Sequence, residues 1–462
     1  MTAELGERER AGREARGREL EGELAAHGVA GVAVTWVDNS GVTRVKAVPT
    51  ARLPYAAAWG IGASPVFDTF LVDDSMISGR YAGGPVGDLR LHPDLDRLTV
   101  LHAQPGWAWA PADRYDTDGA PHPQCHRALA RGQTGALAAA GLHARAAFEL
   151  EWVVSVRDDD RFAPATSGPA YGMTRLVDLS GYLRDVLTAL DAEDVRVEQV
   201  HPEYATGQFE VSMAAGDPVA AADTLVLVRQ TIRAVTARAG LRVSFAPKVL
   251  ADGVGNGGHL HVSLWRGDKN LMAGGDGPFG LTREGVAFTA GILDRLHALL
   301  AIGAPSVASY LRLIPGHWAG AFACWGLENR EAALRFVTGV TGATDRAANL
   351  EVKCFDGAAN PYLLVAGVLA AGRAGVAEGA SLPEPVAVDP ASLGADERRG
   401  RGIAALPADL ETSVAAFETD LALREALGMP LIDTVAAVRR GEIALFAHAT
   451  PEEICARTRW VY

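Results

Sequence analysis

Lysine is scarce in this chain, and positive charge is in the minority. Four of the 462 residues are lysine, and 43 Lys plus Arg stand against 56 Asp plus Glu, which gives a formal net charge of −13. The sequence contains no lysine-rich tail or stripe. Nucleic acids and anionic membranes are bound mainly through excess positive charge, so neither is expected as the main partner. An anionic ligand would have to meet local arginines.

Cysteine pairs and long apolar runs are also missing. The four cysteines, at positions 125, 324, 354 and 455, form no CxxC motif and are typical of reduced thiols in a cytosolic protein. Residues 2–24 mix Glu and Arg and lack the apolar centre of a signal peptide. The most apolar later stretch, 362–371, falls short of the roughly 20 residues that a membrane-spanning helix needs. The sequence therefore predicts a soluble, cytoplasmic protein.

The order of predicted elements divides the chain into three parts. Residues 1–24 are predicted to form a charged helix, 25–115 a small β-rich domain with a hairpin at 38–41, and 116–462 a larger domain. In the larger part, helices and strands do not follow regular βαβ repetition, which favours an α+β fold with antiparallel strands. The chain is 48% hydrophobic and long enough to bury a large core.

Carboxylates and imidazoles recur at strand spacing in the larger part. The segment 146–156 alternates as a strand, and its Glu149 and Glu151 are two residues apart, which places both on one face. Similar groups follow along the chain: Glu198, Glu203 and Glu210, then His259, His261 and Ser263. One such pair is usually a solvated strand face. Three clusters of mostly carboxylate ligands instead predict a site for Mg²⁺ or Mn²⁺.

Arginines form a second kind of cluster in the last third of the chain. The motif Ser-Tyr-x-Arg-Leu-x-Pro-Gly at 309–316 carries Arg312, and Asn-Arg at 329–330 is followed by Arg335. The guanidinium group binds carboxylate and phosphate in a bidentate geometry. Residues 350–353 then alternate as a strand that carries Glu351. This region is therefore a candidate for binding anionic substrates.

In this order and spacing, these motifs and the later Ala-Ala-Asn-Pro-Tyr-Leu resemble the type I glutamine synthetase family. The resemblance spans the chain from about Val32 onward. It implies a β-grasp-like N-terminal domain followed by a catalytic domain with a curved antiparallel sheet and surrounding helices. It also implies two or more divalent metal ions per active site, ATP as co-substrate, and a dodecamer of two hexameric rings with active sites between subunits.

The resemblance assigns roles to individual residues. One metal ion would be held by Glu151, Glu203 and Glu210, and the other by Glu149, His259 and Glu351. ATP would be contacted by Glu198, His261, Ser263, Arg335 and Arg346. L-glutamate would be bound by Gly255, Arg312, Arg330 and Lys353. Arg330 and Arg335 would act as the catalytic arginines at the phosphates, and Lys353 stands where the family usually has Arg, which changes a forked contact into a point charge.

Two carboxylates that bind ammonium in glutamine synthetases have no counterpart here. The flap at 315–318 carries Trp318 where the family has Glu, and the segment 60–65 offers Ser64 in place of an Asp-containing stretch. Ammonium needs such acceptors to be drawn from water. An organic amine would instead contact Trp318, Tyr171 and Ser64. The pattern resembles the γ-glutamylamide synthetases of actinobacteria, which use amines such as ethanolamine or polyamines.

The expected reaction is an ATP-dependent ligation that passes through γ-glutamyl phosphate. Ethanolamine is the favoured amine, because a polyamine with several positive charges would favour an acidic channel. A cation–π contact with Trp318 keeps a polyamine open. Two alternatives remain: a glutamine synthetase that uses ammonia, and a catalytically silent regulatory ring. The altered flap disfavours the first, and the complete set of six metal ligands disfavours the second.

Overall fold

A computed structural model of the chain describes residues 5–157 and 161–462. The first four residues of the predicted N-terminal helix lie outside the described residues. The helices are α1 (Glu7–Ala26), α2 (Leu53–Trp59), α3 (His126–Ala139), α4 (Met173–Asp178), α5 (Ser180–Ala192), α6 (Pro218–Arg238), α7 (Arg283–Asp294), α8 (Leu296–Gly303), α9 (Thr344–Ala347), α10 (Pro361–Glu378), α11 (Ala395–Gly400), α12 (Leu410–Thr419), α13 (Leu421–Leu427), α14 (Met429–Leu445) and α15 (Pro451–Thr458). The strands are β1 (Gly31–Val37), β2 (Thr43–Pro49), β3 (Ile61–Ala63), β4 (Leu89–Pro93), β5 (Thr99–Val100), β6 (Trp107–Asp116), β7 (His143–Val156), β8 (Val197–Pro202), β9 (Gln208–Met213), β10 (Leu241–Ser244), β11 (Gly258–Arg266), β12 (Lys269–Asn270), β13 (Phe322–Leu327), β14 (Ala332–Val337), β15 (Asn349–Val352) and β16 (Ala404–Ala405).

The first sheet contains six strands and belongs to the N-terminal part of the chain. Its order is β2-β1-β6-β4-β3, with β5 also paired to β6. The β1–β2 hairpin closes because the Asp38 carboxylate accepts the Val42 N–H at 2.9 Å and Gly41 takes a positive φ of 81°. Leu20 and Leu24 of α1 belong to the apolar core of this sheet. This core is separate from the larger one that follows.

The second sheet contains ten strands and carries the candidate site. Its order is β16-β13-β14-β15-β11-β7-β9-β8, with β10 paired to β7 and β12 to β11. Among the described strands of this sheet, the β13–β14 pair alone is parallel. The predicted α+β fold with a curved antiparallel sheet and surrounding helices is therefore confirmed, with one parallel pair as an exception.

The helix α10 joins the two parts of the chain. Its first turn is capped by Asn360, whose side-chain oxygen accepts the Tyr362 N–H at 3.0 Å. The amide group of the same side chain donates to the carbonyls of Val37 and Asp38, at 3.1 and 3.2 Å. One buried side chain thus starts the helix and fixes the β1–β2 hairpin against the larger core.

A buried ion-pair network holds α3 against α6. The Arg127 guanidinium contacts Asp223 at 2.9 Å, Asp94 at 2.6 Å and Asp113 at 3.1 Å. The Tyr362 hydroxyl donates to Asp223 at 2.8 Å. Because the side chain of Asp223 is 1% exposed, its charge depends on these partners.

The structure bears on two predictions, one about the cysteines and one about membrane-spanning helices. All four cysteines are free and buried. In the part of the chain that the structure describes, no single helix is long and apolar enough to cross a membrane. The bent pair α7 and α8, which meet at 69°, passes that test by length and composition when taken together.

Candidate active site

Strand register brings the acidic and imidazole side chains into one row across the second sheet. Directly opposite residues on neighbouring strands point to the same face. The facing pairs are His201 with Glu210, Glu210 with Glu151, Glu149 with His259, His261 with Glu351, and Glu351 with Arg335. Alternation within each strand therefore selects the face, and pairing between strands brings the groups together.

Three overlapping sets of side chains offer atoms close enough for a shared metal ion. In each set the ligand atoms lie within 4.8 Å of one another. The sets are Glu149, Glu210 and His259; Glu149, His261 and Glu351; and His201, Glu203 and Glu210. Glu151 adjoins them, because its carboxylate lies 3.9 Å from the His259 Nε2. All six predicted metal ligands are thus gathered in one place, together with His201 and His261.

A glycine permits this crowding beside Glu151. The Gly257 N–H donates to the Glu151 carboxylate at 2.8 Å. A Cβ at position 257 would lie 2.3 Å from the His259 ring and 2.8 Å from the other Glu151 oxygen. Any larger residue would displace these two side chains, so the position requires glycine.

Charge balance in the cluster shifts the pKa of its members in opposite directions. Burial and the nearby Glu210 raise the pKa of Glu151 to about 8. A hydrogen bond with Glu210 raises the pKa of His201 to about 9. Burial opposes ionisation of Glu351, but Lys353 and the histidines lower its pKa to about 2. The carboxylates therefore retain a proton or pair with a cationic side chain, and a divalent cation would take over that balancing of charge.

Basic side chains surround the far end of the cluster. The Glu351 carboxylate accepts from Arg335 at 3.0 Å and from Lys353 at 3.1 Å. Arg312 donates to the Lys353 carbonyl at 3.1 Å, and its Nη1 is buried without a partner. Glu328 also accepts from Arg335. An incoming carboxylate would satisfy the unpaired guanidinium nitrogen of Arg312.

The remaining predicted site residues differ from one another in burial and in their contacts. Ser263 is buried on β11 and accepts from the Trp265 indole at 2.8 Å, and Gly255 lies against the Arg312 side chain. Glu198 is exposed and pairs with Arg196.

Three further predicted residues lie outside the hydrogen-bond network of the cluster. Arg330 is exposed, and Arg346 is exposed beside Asp345. Ser64 caps the short 3₁₀ helix Pro65–Thr69, which follows β3, by accepting the Val66 N–H at 3.3 Å. We call the group of six predicted metal ligands the metal-type cluster. Within the described residues of this single chain, no hydrogen bond joins these three residues to it.

The flap and Tyr171 expose two aromatic side chains, which we call the rim. Trp318 is 54% exposed and Tyr171 is 49% exposed, and both take positive φ angles, of 52° and 56°. The Tyr171 ring lies 6.2 Å from the His201 ring. Burial and a hydrogen bond with Glu203 raise the Tyr171 pKa, so its phenol stays protonated. Two aromatic side chains are thus available at the rim.

The structure adds two acid–base residues that sequence reasoning left without a role. Glu331 is 7% exposed, and one of its carboxylate oxygens accepts the Trp318 N–H at 2.9 Å. Its other oxygen is buried without a hydrogen-bond partner. His201 lies 3.2 Å from Glu210 and 3.5 Å from Glu203. The available signals were an acid directly after Asn-Arg, in the turn before β14, and a histidine two residues before Glu203.

Comparisons with known proteins place the chain in a family. A family model described as glutamine synthetase, catalytic domain, matches residues 123–457. The chain therefore belongs to the glutamine synthetase family and is a ligase of that type, as the motifs predicted. Gamma-glutamylpolyamine synthetase GlnA3 of Streptomyces coelicolor is 58% identical over 456 residues, which are 98% of each chain. Glutamine synthetase of Methanocaldococcus jannaschii is 31% identical over 80% of this chain and 82% of its own.

Solved structures agree with this placement. A protein described as a novel glutamine synthase homolog superposes with a TM-score of 0.84 at 33% identity, over 94% of this chain and 99% of its own. The enzyme GmaS, solved as an ADP complex, superposes with a TM-score of 0.82 at 27% identity, over 93% of this chain and 97% of its own. The fold of the whole chain, and not of the catalytic part alone, is therefore shared with these proteins.

Proposed function

We propose that this ligase joins the γ-carboxylate of L-glutamate to an amino group of a polyamine at the expense of ATP. The observation that carries the proposal is the 58% identity over 98% of both chains with a protein named gamma-glutamylpolyamine synthetase. The ethanolamine preference drawn from the sequence has less support. It rested on the argument that a polyamine would favour an acidic channel, and the buried acid Glu331 lies directly beneath Trp318.

The residues of the cluster fit divalent metal ions of the Mg²⁺ or Mn²⁺ type. Oxygen ligands with one or two imidazoles are the donor set that these ions accept. Glu151, Glu203 and Glu210 would hold one ion. Glu149, His259 and Glu351 would hold another. Such ions neutralise phosphate oxygens when bound.

Binding of glutamate and the phosphates falls to the basic end of the site. Arg312, with its unpaired nitrogen, and Lys353 would receive the carboxylates of glutamate. Arg335 lies on the sheet face of the metal-type cluster, where it meets the charge of a transferring phosphoryl group. We also assign Arg330, Arg346, Glu198, His261 and Ser263 to ATP and phosphate contacts. Arg330, Arg346 and Glu198 are all exposed and therefore accessible to a nucleotide.

The reaction then proceeds in two displacements. An oxygen of the glutamate γ-carboxylate attacks the terminal phosphorus of ATP, which forms γ-glutamyl phosphate and releases ADP. The neutral amine next attacks the acyl carbon, forms the amide bond and expels phosphate, and its extra proton leaves to solvent. Phosphorylation is needed because a free carboxylate is a poor acyl donor.

The amine is received at the flap. The unpaired oxygen of Glu331 is costly to bury, and an alkylammonium group would supply the missing donors. The exposed faces of Trp318 and Tyr171 offer cation–π contacts to further charges of a polyamine. Ser64 would join this pocket only from a neighbouring subunit, in line with the proposed dodecamer of two hexameric rings.

Ethanolamine is the second candidate, because one ammonium group would suffice to pair the single buried oxygen of Glu331. Phosphate release with ATP and glutamate should be measured across spermine, putrescine, ethanolamine and ammonium. We expect the highest kcat/KM with a polyamine. A higher value with ethanolamine would move the assignment to the monoamine, turnover with ammonium alone would overturn both, and turnover with none would favour a silent ring.

A further inference from the structure

A small cavity lies between α6, the β1–β2 hairpin and the last residues of the chain, away from the metal-type cluster. Its volume is about 140 Å³. The lining includes Arg229, Gln230 and Arg233 of α6, and Gly41, Phe245 and Tyr462. We call it the arginine cavity.

Arg229 is buried in the wall of this cavity with incomplete pairing. The residue is 5% exposed. Its two terminal nitrogens donate to one carbonyl, that of Ala359, over long distances of 3.3 and 3.4 Å. Its Nε is buried and has no hydrogen-bond partner. A neutral carbonyl does not balance the charge of a buried guanidinium, so a counter-charge is missing.

Arg233 follows one helical turn later and faces the same space. Its guanidinium lies 5.2 Å from the centre of the Phe245 ring. In the described residues, neither Arg233 nor Arg229 has a carboxylate within 4.0 Å. Asp356 acts on Arg229 from beyond ion-pair distance, and burial lowers the pKa of both arginines to about 10. Two cations thus line one small cavity, and no carboxylate of the described residues lies within ion-pair distance of either.

We propose that the arginine cavity binds a small oxyanion of the phosphate or carboxylate class. Two guanidinium groups on adjacent turns of one helix form a clamp for planar or tetrahedral oxyanions. The volume is well below the roughly 300–1,000 Å³ of pockets that bind larger organic ligands. It therefore suits an isolated ion and excludes a nucleotide. A bound oxyanion would fasten α6 to the β1–β2 hairpin and to Tyr462, and so stabilise the folded chain.

Thermal unfolding of the full chain tests this with inorganic phosphate against chloride at equal ionic strength. Phosphate also enters the active site as a product, so the comparison uses Arg233→Met, which leaves that site intact. We expect a saturable rise of the unfolding midpoint in wild type that is markedly smaller in Arg233→Met. Arg238→Met is the matched control on the same helix, since Arg238 reaches the Ala103 carbonyl instead, and it should keep the full rise.

A direct count of bound phosphate provides the second readout. Equilibrium dialysis should find one phosphate fewer per chain in Arg233→Met than in wild type and in Arg238→Met. Equal counts and equal midpoint shifts in all three proteins would overturn the proposal. Sedimentation distinguishes the other source of an oxyanion: if Arg233→Met changes the assembly state while phosphate has no effect on wild type, a carboxylate of a second copy fills the cavity and the free-ion proposal fails.

Discussion

Glu331→Gln removes the negative charge beneath the flap and changes little else. The amide keeps the size of the side chain and an oxygen that accepts the Trp318 N–H, now at 2.9 Å from Glu331. The unpaired oxygen of Glu331 is replaced by either a neutral oxygen or an NH₂ group, and neither carries the negative charge that strengthens a hydrogen bond from an ammonium ion. We therefore expect the KM for the amine to rise, whereas the KM for glutamate and for ATP stays near the wild-type value.

The size of the effect follows from the burial of that oxygen. A hydrogen bond to a charged group contributes about 1.5–3 kcal/mol. At about 1.4 kcal/mol for each factor of ten, the amine KM should rise roughly 10- to 150-fold. Because Glu331 is 7% exposed, solvent screening reduces this interaction little. Glu331→Asp keeps the charge and loses one methylene, so its effect should be smaller.

The assay is phosphate release at saturating ATP and glutamate with the amine varied. The control is Glu378→Gln, which removes an acid that pairs with Arg295 far along α10 and should leave the amine KM unchanged. An unchanged amine KM in Glu331→Gln would refute the reasoning. A parallel rise in the KM for glutamate would show instead that Glu331 only supports the flap.

Further predictions concern the flap, the buried network and acid stability. Trp318→Glu places a carboxylate at the exposed rim and should raise kcat/KM for ammonium relative to the amine; an unchanged ratio would show that the flap does not select the substrate. Arg127→Met leaves Asp223 buried without its main partner and should destabilise the fold by about 3–5 kcal/mol, measured by urea denaturation. Arg131→Met, whose side chain is 35% exposed, should cost less than about 1 kcal/mol, and equal losses would refute the role of burial. Burial lowers the pKa of His92 to about 4 from 6.5, so stability should fall as pH drops from 6.5 towards 4, by about 2 kcal/mol at pH 5. His92→Gln should abolish that part of the loss, and an unchanged pH profile would contradict it.

Local pattern predicted much of the sheet that carries the site. The strand expected at 146–156 is observed as β7 from His143 to Val156. The extra residues were missed because they are strand only through pairing with β11, where His143 faces Trp265. Alternation of Glu149 and Glu151 correctly placed both on one face, since a strand has a period of two.

The surroundings of the flap were not predictable in the same way. Glu331 looked like one acid among many, and its role depends on the Trp318 N–H reaching it across the flap. The comparison of acids around the flap therefore named the two that are missing and did not consider Glu331. The parallel β13–β14 pair was not predictable either, because alternation in a sequence indicates which face a side chain lies on and not the direction of the neighbouring strand.

The sequence by itself determined the family, the α+β class and the residue types of the cluster, because these depend on local periodicity and on motifs with fixed spacing. Tertiary structure alone decided which groups lie close enough to share an ion, which carboxylate lies beneath the flap, and that Arg229 and Arg233 have no carboxylate within ion-pair distance among the described residues. Those relations join residues such as His126 and Asn360, far apart in the chain and 2.8 Å apart in space. Register, burial and charge pairing arise only when distant segments pack, so no local pattern contains them.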